Sequence, residues 1–315
     1  MNDPDNSTEA FDTVVVGGGP AGLSCALWLA RYRRSVCVFD TGDPRNKPAW
    51  GVHGYPGIPD PPPLQLRAMI RQQAVDAGAL LRIAAVTRVS GVKDDFSVAT
   101  EDGRITRARR VVLAYGLRDF VPDVRGIDEF YGHSVYHCPD CDGPSVLGQN
   151  VGVIGHDRHA VALALYLLTW AKNVVLLTNG VAPSMTAEAS KMLTAANIEL
   201  FTEAIERLDG TNGCLQSVAF NSTTASGRST IALDALFFHL GSEPRCSFAN
   251  EMTCRIDEAG YVDVERGQQT SVSGLYAAGD LAGHPHLAIA AAAEGVRAAL
   301  AIHRSLLPDS YFVGS

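Results

Sequence analysis

The sequence has few charged residues, few aromatic residues and no surplus of basic residues. Charged residues make up 19% and aromatic residues 7% of the 315 positions, and the formal net charge is -8. A chain of this kind cannot offer phosphates a basic face, so we predict no nucleic-acid partner. No apolar run reaches the ~18 residues that a membrane helix needs, and we predict no membrane span.

The chain also has few cysteines, 7 in all, and no recognisable secretion signal. Residues 1–9 are polar and acidic, which we interpret as a loose leader and not as a signal peptide. These features favour a cytoplasmic location, where a structural disulfide is not expected.

One pair of cysteines has C-x-x-C spacing: Cys138 and Cys141, in the stretch Cys-Pro-Asp-Cys-Asp-Gly. At the start of a helix, backbone N–H groups acidify one thiol of such a pair and make it the better nucleophile. We therefore predict a redox-active dithiol. Half of a zinc site is the alternative, because His133 and His137 lie close by, but a second cysteine pair is missing and we predict no metal.

A glycine-rich loop follows the first apolar, β-like run of the chain. Its glycines, Gly17, Gly19 and Gly22, form G-x-G-x-x-G before a helical pattern, and the next β-like run ends at Asp40. Glycines at this spacing let the backbone approach a pyrophosphate, and the acid can accept hydrogen bonds from a ribose. A dinucleotide site is therefore predicted at this end of the chain.

The strand–glycine–helix pattern restarts at residues 150–154. With 30 glycines and 46% apolar residues, the composition suits an α/β protein with two domains. We predict two Rossmann-like domains of three-layer ββα type, the second inserted into the first, with boundaries at 1–116, 117–243 and 244–315. Between the first helices and the insertion we predict separate strands at 105–107 and 111–114, and an Ala-rich helix at about 287–304 closes the fold.

The combination of two Rossmann units, Cys-x-x-Cys-Asp-Gly and a terminal Gly-Leu-Tyr-Ala-Ala-Gly-Asp resembles the low-molecular-weight thioredoxin reductases. The first and last segments would then form one FAD domain. The resemblance implies that Gly17, Gly19 and Gly22 hold the FAD pyrophosphate, with Asp40 at the ribose. The other cofactor-binding positions that we predict are Pro20, Ala21, Arg45, Asn46, Gly279, Asp280, His286 and Ala288.

The resemblance also implies roles in catalysis. Cys141 matches the thiol that makes the charge-transfer contact with the flavin, and Cys138 matches the outer thiol that exchanges with a partner disulfide. Asp142 matches an acid that handles protons, although a helix N-cap is an equal alternative. His286 is a candidate acid or base near the flavin, with capping or packing at the helix start as its alternative.

The second glycine-rich loop departs from the pattern of NADPH-binding members. It keeps Gly155 but has Asp157 at the second glycine position, and no arginine occurs in residues 178–183 after the next strand. A carboxylate ~4 Å from a phosphate opposes it by about 1 kcal/mol in water and by more in a desolvated site. We therefore predict that the inserted domain does not bind NADPH, although His156, Arg158 and His159 leave a different anion site open.

The sequence thus predicts an FAD-dependent disulfide oxidoreductase of the divergent, NADPH-independent branch of that family. Electrons would pass between FAD, the Cys138–Cys141 pair and a thioredoxin-like protein, with ferredoxin or another non-nicotinamide donor, in a homodimer. A small-molecule dithiol oxidase that uses oxygen is one alternative, and an NADPH-thioredoxin reductase with a degenerate nucleotide site is another. A non-catalytic flavoprotein is the alternative outside enzymes. A further hypothesis is that Tyr311 and Phe312 cover the flavin.

Overall fold

The structure is a computed structural model that describes residues 9–283 and 285–311. The chain divides into two compact units. The first unit contains the chain up to residue 47, residues 55–118 and the chain from residue 243. The second unit contains residues 119–242 together with residues 48–54. Segment 48–54 therefore packs with the second unit, although the predicted boundary places it in the first domain.

The elements of both units follow a βαβ order. In the first stretch of chain they are β1 (Ala10–Val16), α1 (Pro20–Arg31), β2 (Val36–Asp40), α2 (Pro63–Asp76), β3 (Leu80–Ile83), β4 (Val86–Val92), β5 (Asp95–Thr100), β6 (Ile105–Leu113) and β7 (Leu117–Asp119). In the insertion they are α3 (Ile127–Phe130), β8 (Val135–Tyr136), α4 (Pro139–Asp142), β9 (Asn150–Ile154), α5 (Arg158–Leu167), β10 (Asn173–Leu177), α6 (Ala187–Ala195), β11 (Glu199–Phe201), β12 (Ile205–Thr211), β13 (Cys214–Phe220), β14 (Thr230–Ala232) and β15 (Ala235–Phe238). The last stretch has β16 (Ser242–Pro244), α7 (Phe248–Glu251), β17 (Leu275–Ala277) and α8 (Ala288–Ser305).

The first unit is built on a seven-stranded sheet in the order β3-β2-β1-β6-β5-β4, with β17 also paired to β6. Strands β3, β2, β1, β6 and β17 run parallel, whereas β4 and β5 continue from β6 as an antiparallel ribbon. The last four residues of β1 are buried, as a central strand covered on both faces requires. One core cluster lies between this sheet and helices α1 and α8, and a second covers its other face.

Strand β6 corrects the prediction of two separate strands. It runs without a break from Ile105 to Leu113, and its first half pairs with β5 while its second half pairs with β17. The gap between the two predicted strands, residues 108–110, contains two arginines. Arg110 is nevertheless buried there, because its guanidinium donates to Asp94, at 2.7 Å, and to the hydroxyl and carbonyl oxygens of Ser305, both at 2.9 Å. A buried charge that is fully hydrogen-bonded is compatible with a central strand.

Helices α1 and α8 pack closely against each other in the first unit. A Cβ atom on Gly295 of α8 would lie 2.0 Å from the carbonyl oxygen of Ala21, so only glycine allows this approach. The Ala-rich composition of α8 has the same effect, because small side chains let two helix backbones come together. The predicted closing helix is confirmed as Ala288–Ser305.

The second unit has a five-stranded parallel sheet in the order β11-β10-β9-β15-β8 and a three-stranded antiparallel sheet of β12, β13 and β14. One core cluster is shared by residues of the two sheets, and the other lies under α5 and α6. Both units are thus of the predicted Rossmann-like type, which confirms the α/β fold class.

Within the described part of the chain, no helix is long and apolar enough to cross a membrane.

Candidate functional site

The first glycine-rich loop connects β1 to α1 at the carboxyl end of the parallel strands. Gly17 has a φ of 112°, and a Cβ there would lie 2.2 Å from the carbonyl oxygen of Ala114, which follows β6. Gly19 is different, because a Cβ on it would have no neighbour within 4 Å. No side chain caps the start of α1, which begins at Pro20. The first N–H groups of α1 are therefore not bonded by a side chain of the N-cap residue Gly19, and such groups can bind an anion.

Asp40 lies at the end of β2, and the structure pairs it with a residue that the motif does not identify. Its carboxylate forms an ion pair with Arg67 of α2, and Arg67 also donates to the carbonyl oxygen of Gly18 at 3.0 Å. Arg67 therefore links the acid to the glycine-rich loop. Sequence reasoning missed Arg67 because a long loop of unpredictable path separates it from the motif.

The second predicted cofactor motif follows β17. Asp280 pairs with Arg45 at 2.8 Å, so the structure brings together two predicted site residues that are far apart in the chain. Gly279 has a φ of 80°, and its N–H donates to the carboxylate of Glu294 at 2.7 Å. Burial raises the pKa of Glu294. Sequence reasoning missed Glu294, and a lone acid in an Ala-rich helix was the one available sign of it.

The remaining predicted cofactor residues lie at element ends. Ala288 begins α8, and Asn46 lies in the turn after Arg45, half-buried. The ring of His286 packs edge-on against Tyr261, with centroids 5.5 Å apart. Leu287, and not His286, is the N-cap residue of α8. The packing alternative matches the structure.

These residues fit a dinucleotide with a pyrophosphate. The glycine-rich loop and the motif after β17 both lie at the carboxyl ends of parallel strands that flank β6, at the edge of the sheet where α/β proteins bind ligands. The uncapped start of α1 offers N–H donors, and Gly19 leaves room in front of them.

Tyr311 is exposed, whereas Phe312 lies outside the described residues, so the cover of the flavin by this pair stays a prediction.

The cysteine pair lies in the second unit, at the start of a short helix as predicted. Cys138 and Cys141 are joined by a disulfide, with their Cα atoms 5.3 Å apart. Cys138 is the N-cap of α4, and its sulfur accepts a hydrogen bond from the N–H of Cys141 at 3.1 Å. Such a donor favours a thiolate on Cys138 once the disulfide is reduced. No group of three potential metal ligands occurs among the residues that the structure describes.

Helix α5 supports the turn that carries the two cysteines. The hydroxyl of Tyr166 donates to the carboxylate of Asp140, between the cysteines, at 2.7 Å. The same hydrogen bond raises the pKa of Tyr166. The tyrosine ring packs edge-on against Trp170, with centroids 5.4 Å apart. This hydrogen bond links the turn that carries the cysteines to α5.

Asp142 is buried directly after the second cysteine. It precedes a short 3-10 turn, yet its side chain makes no capping hydrogen bond, so the N-cap alternative is wrong. Burial raises the pKa of Asp142 to about 6, and the neighbouring His53 opposes this rise. The Nε2 atom of His53 lies 3.7 Å from the carboxylate. A carboxyl with this pKa can exchange a proton near neutral pH.

His137, which precedes the pair, takes part in side-chain contacts within the second unit. Its Nδ1 atom lies 3.2 Å from the hydroxyl of Tyr131, and its Nε2 atom lies 3.8 Å from the carboxylate of Asp119. These contacts anchor the histidine beside the turn.

The second glycine-rich loop begins α5 in a manner that differs from α1. The carboxylate of Asp157 accepts hydrogen bonds from the N–H groups of His159 and Ala160, both at 3.0 Å. Burial opposes its ionisation, but these hydrogen bonds, with Ala160 first, hold the pKa of Asp157 below its usual value. The loop after β10 also crosses here, because the N–H of Ser184 donates to the carbonyl oxygen of His156 at 2.6 Å. The first N–H groups of α5 are therefore already hydrogen-bonded to a side chain of the same loop.

The sequence and the fold were compared with known proteins. Residues 11–295 match the family model described as pyridine nucleotide-disulphide oxidoreductase. The thioredoxin reductase of Helicobacter pylori is 29% identical over 93% of this chain and 97% of its own length. A bifunctional thioredoxin reductase/thioredoxin of Mycobacterium leprae is 32% identical over 97% of this chain and 68% of its own length.

Solved structures give the same result. The crystal structure of HlmI superposes with a TM-score of 0.87 at 31% identity, covering 97% of this chain and 95% of that one. Thioredoxin reductase from Giardia duodenalis superposes with a TM-score of 0.86 at 28% identity, covering 95% and 99%.

Proposed function

We propose that this chain, which belongs to the pyridine nucleotide-disulphide oxidoreductase family, is a thioredoxin reductase-like enzyme. We also propose that it works without NADPH. It is a flavin-dependent disulfide oxidoreductase, and its thioredoxin reductase relatives are FAD flavoproteins. The proposal adds that electrons pass between FAD, the Cys138–Cys141 pair and the disulfide of a thioredoxin-like protein.

One observation supports independence from NADPH above all others. The helices that follow the two glycine-rich loops differ at their first turn, because a side chain caps α5 but not α1. The start of α1 is uncapped and open in front of Gly19, as a dinucleotide site requires. The start of α5 is capped by the carboxylate of Asp157, which uses the N–H donors that a pyrophosphate needs. A phosphate would have to displace an ionised side chain and overcome its charge. The absence of arginine from residues 178–183 removes the usual compensation.

The chain's own residues supply the remaining chemistry. FAD, when bound, would carry two electrons to or from the disulfide. Arg45, Asp280 and the glycine-rich loop would hold it in the first unit. In the second unit, Cys138 would attack a partner disulfide as a thiolate, and Cys141 would close the internal disulfide. Asp142 would give a proton to the thiolate that leaves.

The donor and partner follow from the same proposal. A low-potential protein such as ferredoxin would supply the electrons, one at a time. A thioredoxin-like protein would accept them, as the fused thioredoxin in the name of the Mycobacterium leprae relative supports. Cys25, Cys37, Cys214, Cys246 and Cys254 are free thiols, which is typical of the reducing cytoplasm in which we propose that the enzyme acts.

We further propose the homodimer. An apolar groove in the first unit lies between α1, α2 and α8, and it is lined by Trp28, Met69 and Ile289 among others. Met69 and Ile289 are each 39% exposed. A second copy that covers this groove would bury them. Met69→Lys is expected to shift the sedimentation coefficient from that of a dimer to that of a monomer, and an unchanged coefficient would count against this interface.

The experiment for the proposed function is an anaerobic titration of the FAD holoenzyme. We expect that NADPH leaves the flavin absorption band unchanged and that dithionite bleaches it. Thiol labelling should then find Cys138 and Cys141 reduced. Stoichiometric bleaching by micromolar NADPH would instead identify an NADPH-thioredoxin reductase with a degenerate nucleotide site.

The same sample tests for a dithiol oxidase and for a non-catalytic flavoprotein. If a small dithiol bleaches the flavin and oxygen restores the band over many turnovers, the enzyme is a dithiol oxidase. If neither cysteine changes its oxidation state under any reductant, the chain is a non-catalytic flavoprotein.

A further inference from the structure

The loop segment of residues 48–54 lies far in sequence from the two cysteines but packs with them in the second unit. The N–H of Trp50 donates to the carbonyl oxygen of Gly132 at 3.2 Å. Gly132 has a φ of 85°, and a Cβ on it would lie 1.9 Å from the carbonyl oxygen of Pro48. Val52 is 7% exposed. These contacts hold the loop segment against the redox unit by its backbone.

The loop segment brings His53 to Asp142. Its Nε2 atom lies 3.7 Å from the Oδ1 atom of Asp142, and the two side chains are only 16% and 10% exposed. The ring of Trp50 packs edge-on against the imidazole, with centroids 4.5 Å apart. The imidazole is therefore held beside a buried carboxyl that no capping hydrogen bond stabilises.

The charge balance around Asp142 shows why a neighbour is needed. Burial alone disfavours the carboxylate, and a carboxyl that stays protonated cannot accept a proton. His53 is the group that acts in the opposite direction, lowering the pKa of Asp142. Tyr136 also faces Asp142, and burial together with the carboxylate raises the pKa of that phenol to about 12, so the tyrosine stays neutral.

We propose that His53 is the positioning residue for Asp142, and that the pair lets this buried carboxyl both give and accept a proton during thiol–disulfide exchange. The inference rests on the proposed function. Thiol–disulfide exchange is reversible, so one group must serve as acid in one direction and as base in the other. Such a group works best when its pKa lies close to the working pH.

The step that uses the proton can be written in full. The Cys138 thiolate forms a bond to one sulfur of an external disulfide, and that disulfide breaks. Cys141 then forms the internal disulfide and releases the second external thiolate. The enzyme dithiol loses two electrons and the external disulfide gains them. Asp142 protonates a thiolate as it leaves, and this help matters only when the thiolate is basic.

The experiment compares two external disulfides with the reduced FAD holoenzyme in single-turnover mixing. Bis(2-hydroxyethyl) disulfide releases a basic alkyl thiolate, whereas the aromatic disulfide 5,5′-dithiobis(2-nitrobenzoate) releases a weakly basic one that needs no proton. Dividing the alkyl rate by the aromatic rate at each pH cancels the fraction of Cys138 present as thiolate. The ratio then falls with rising pH as Asp142 loses its proton.

We expect His53→Gln to move the midpoint of this fall to higher pH, because removal of the imidazole raises the pKa of Asp142. Asp142→Asn should lower the ratio roughly 100-fold at low pH and make it independent of pH. In the Asp142→Asn background, His53→Gln should then change nothing, since His53 acts through Asp142. His133→Gln, at an exposed histidine of the same unit, should leave the midpoint unchanged.

His53→Asn is the second variant if His53→Gln loses its flavin. A midpoint that stays at the wild-type pH in the folded His53 variant would overturn the role of His53 while leaving the proposed function intact. So would a His53→Gln effect that persists in the Asp142→Asn background. If the wild-type dithiol reacts with neither disulfide, the proposed function fails and the inference falls with it.

Discussion

Replacement of Asp157 tests the helix cap that distinguishes the second glycine-rich loop from the first. Its carboxylate accepts two hydrogen bonds of 3.0 Å at the start of α5. Loss of an N-cap costs about 1 kcal/mol, and loss of a negative charge at a helix N-terminus costs about 0.5 kcal/mol more. Asp157→Ala should therefore destabilise α5 by about 1.5 kcal/mol. Asp157→Asn keeps an acceptor and should cost only about 0.5 kcal/mol.

Native-state hydrogen exchange of the α5 amides measures this cost locally. A loss of about 1.5 kcal/mol raises the population of the opened helix roughly tenfold, so the amides of Asp157→Ala should exchange roughly tenfold faster. Thr186 offers a matched control, since its hydroxyl caps α6 by accepting from the N–H of Ala189 at 3.2 Å. Thr186→Ala should accelerate exchange in α6 and leave α5 unchanged.

The effect of Asp157→Ala should also depend on pH. The pKa of Asp157 is lowered in the folded protein, so the carboxylate adds stability above its unfolded pKa of about 3.9. That contribution is lost as the pH falls through the lower folded value, and the difference between wild type and Asp157→Ala should shrink in acid. If Thr186→Ala loosens α6 while Asp157→Ala leaves α5 unchanged, Asp157 does not cap the helix and the argument against NADPH loses its main support.

Three further predictions concern stability. Gly295→Ala should lower the temperature of thermal unfolding by an amount that corresponds to about 2 kcal/mol. The added Cβ would lie 2.0 Å from the carbonyl oxygen of Ala21, and this clash outweighs the gain of about 1 kcal/mol in helix propensity. An increase in the unfolding temperature would contradict the packing. Arg110→Met should cost about 3 kcal/mol in urea unfolding, because the charge-assisted hydrogen bonds that its guanidinium donates to Asp94, Ser305 and the carbonyl oxygen of Arg109 are lost. Arg109→Met, at the half-exposed neighbour, should cost less than about 1 kcal/mol. Equal costs would refute the assignment. Asp142→Asn should stabilise the protein by about 3 kcal/mol at pH 8 and leave it unchanged below about pH 3, because the folded protein holds the Asp142 proton up to a pKa of about 6, against about 3.9 in the unfolded chain. A difference that does not depend on pH would show that this carboxyl is not buried as described.

Residues that act through the backbone were predictable from short motifs. Gly17 and Gly22 must be glycines because chain atoms lie within about 2 Å of where their Cβ atoms would be, whereas Gly19 leaves open space, and these requirements are visible as a spacing. The helix start at Cys138 is likewise a local property, since Pro139 suits the first helical position. The resemblance to a family added roles for these residues, which stay predictions until the variants are made.

Residues that act through long-range contacts were not predictable. The sequence predicts two strands where β6 runs, with Arg110 in the gap between them. The partners that allow its burial come from Asp94 and from the end of α8. The sequence left an N-cap role open for Asp142, and the structure excluded that role because its side chain makes no capping hydrogen bond. Arg67 and Glu294 carried no spacing that pointed to Asp40 or Gly279.

By itself, the sequence determined the fold class, and it predicted the dinucleotide loop, the redox pair and a second glycine-rich loop that departs from the NADPH-binding pattern. Each of these depends on residues close together in the chain, where spacing dictates geometry. The tertiary structure alone decided that Asp157 caps α5, that Arg45 meets Asp280 and that segment 48–54 carries His53 to the redox unit. Burial and long-range pairing set the charge state of Asp142, and the free energy of such pairing depends on the whole fold, which no local pattern encodes.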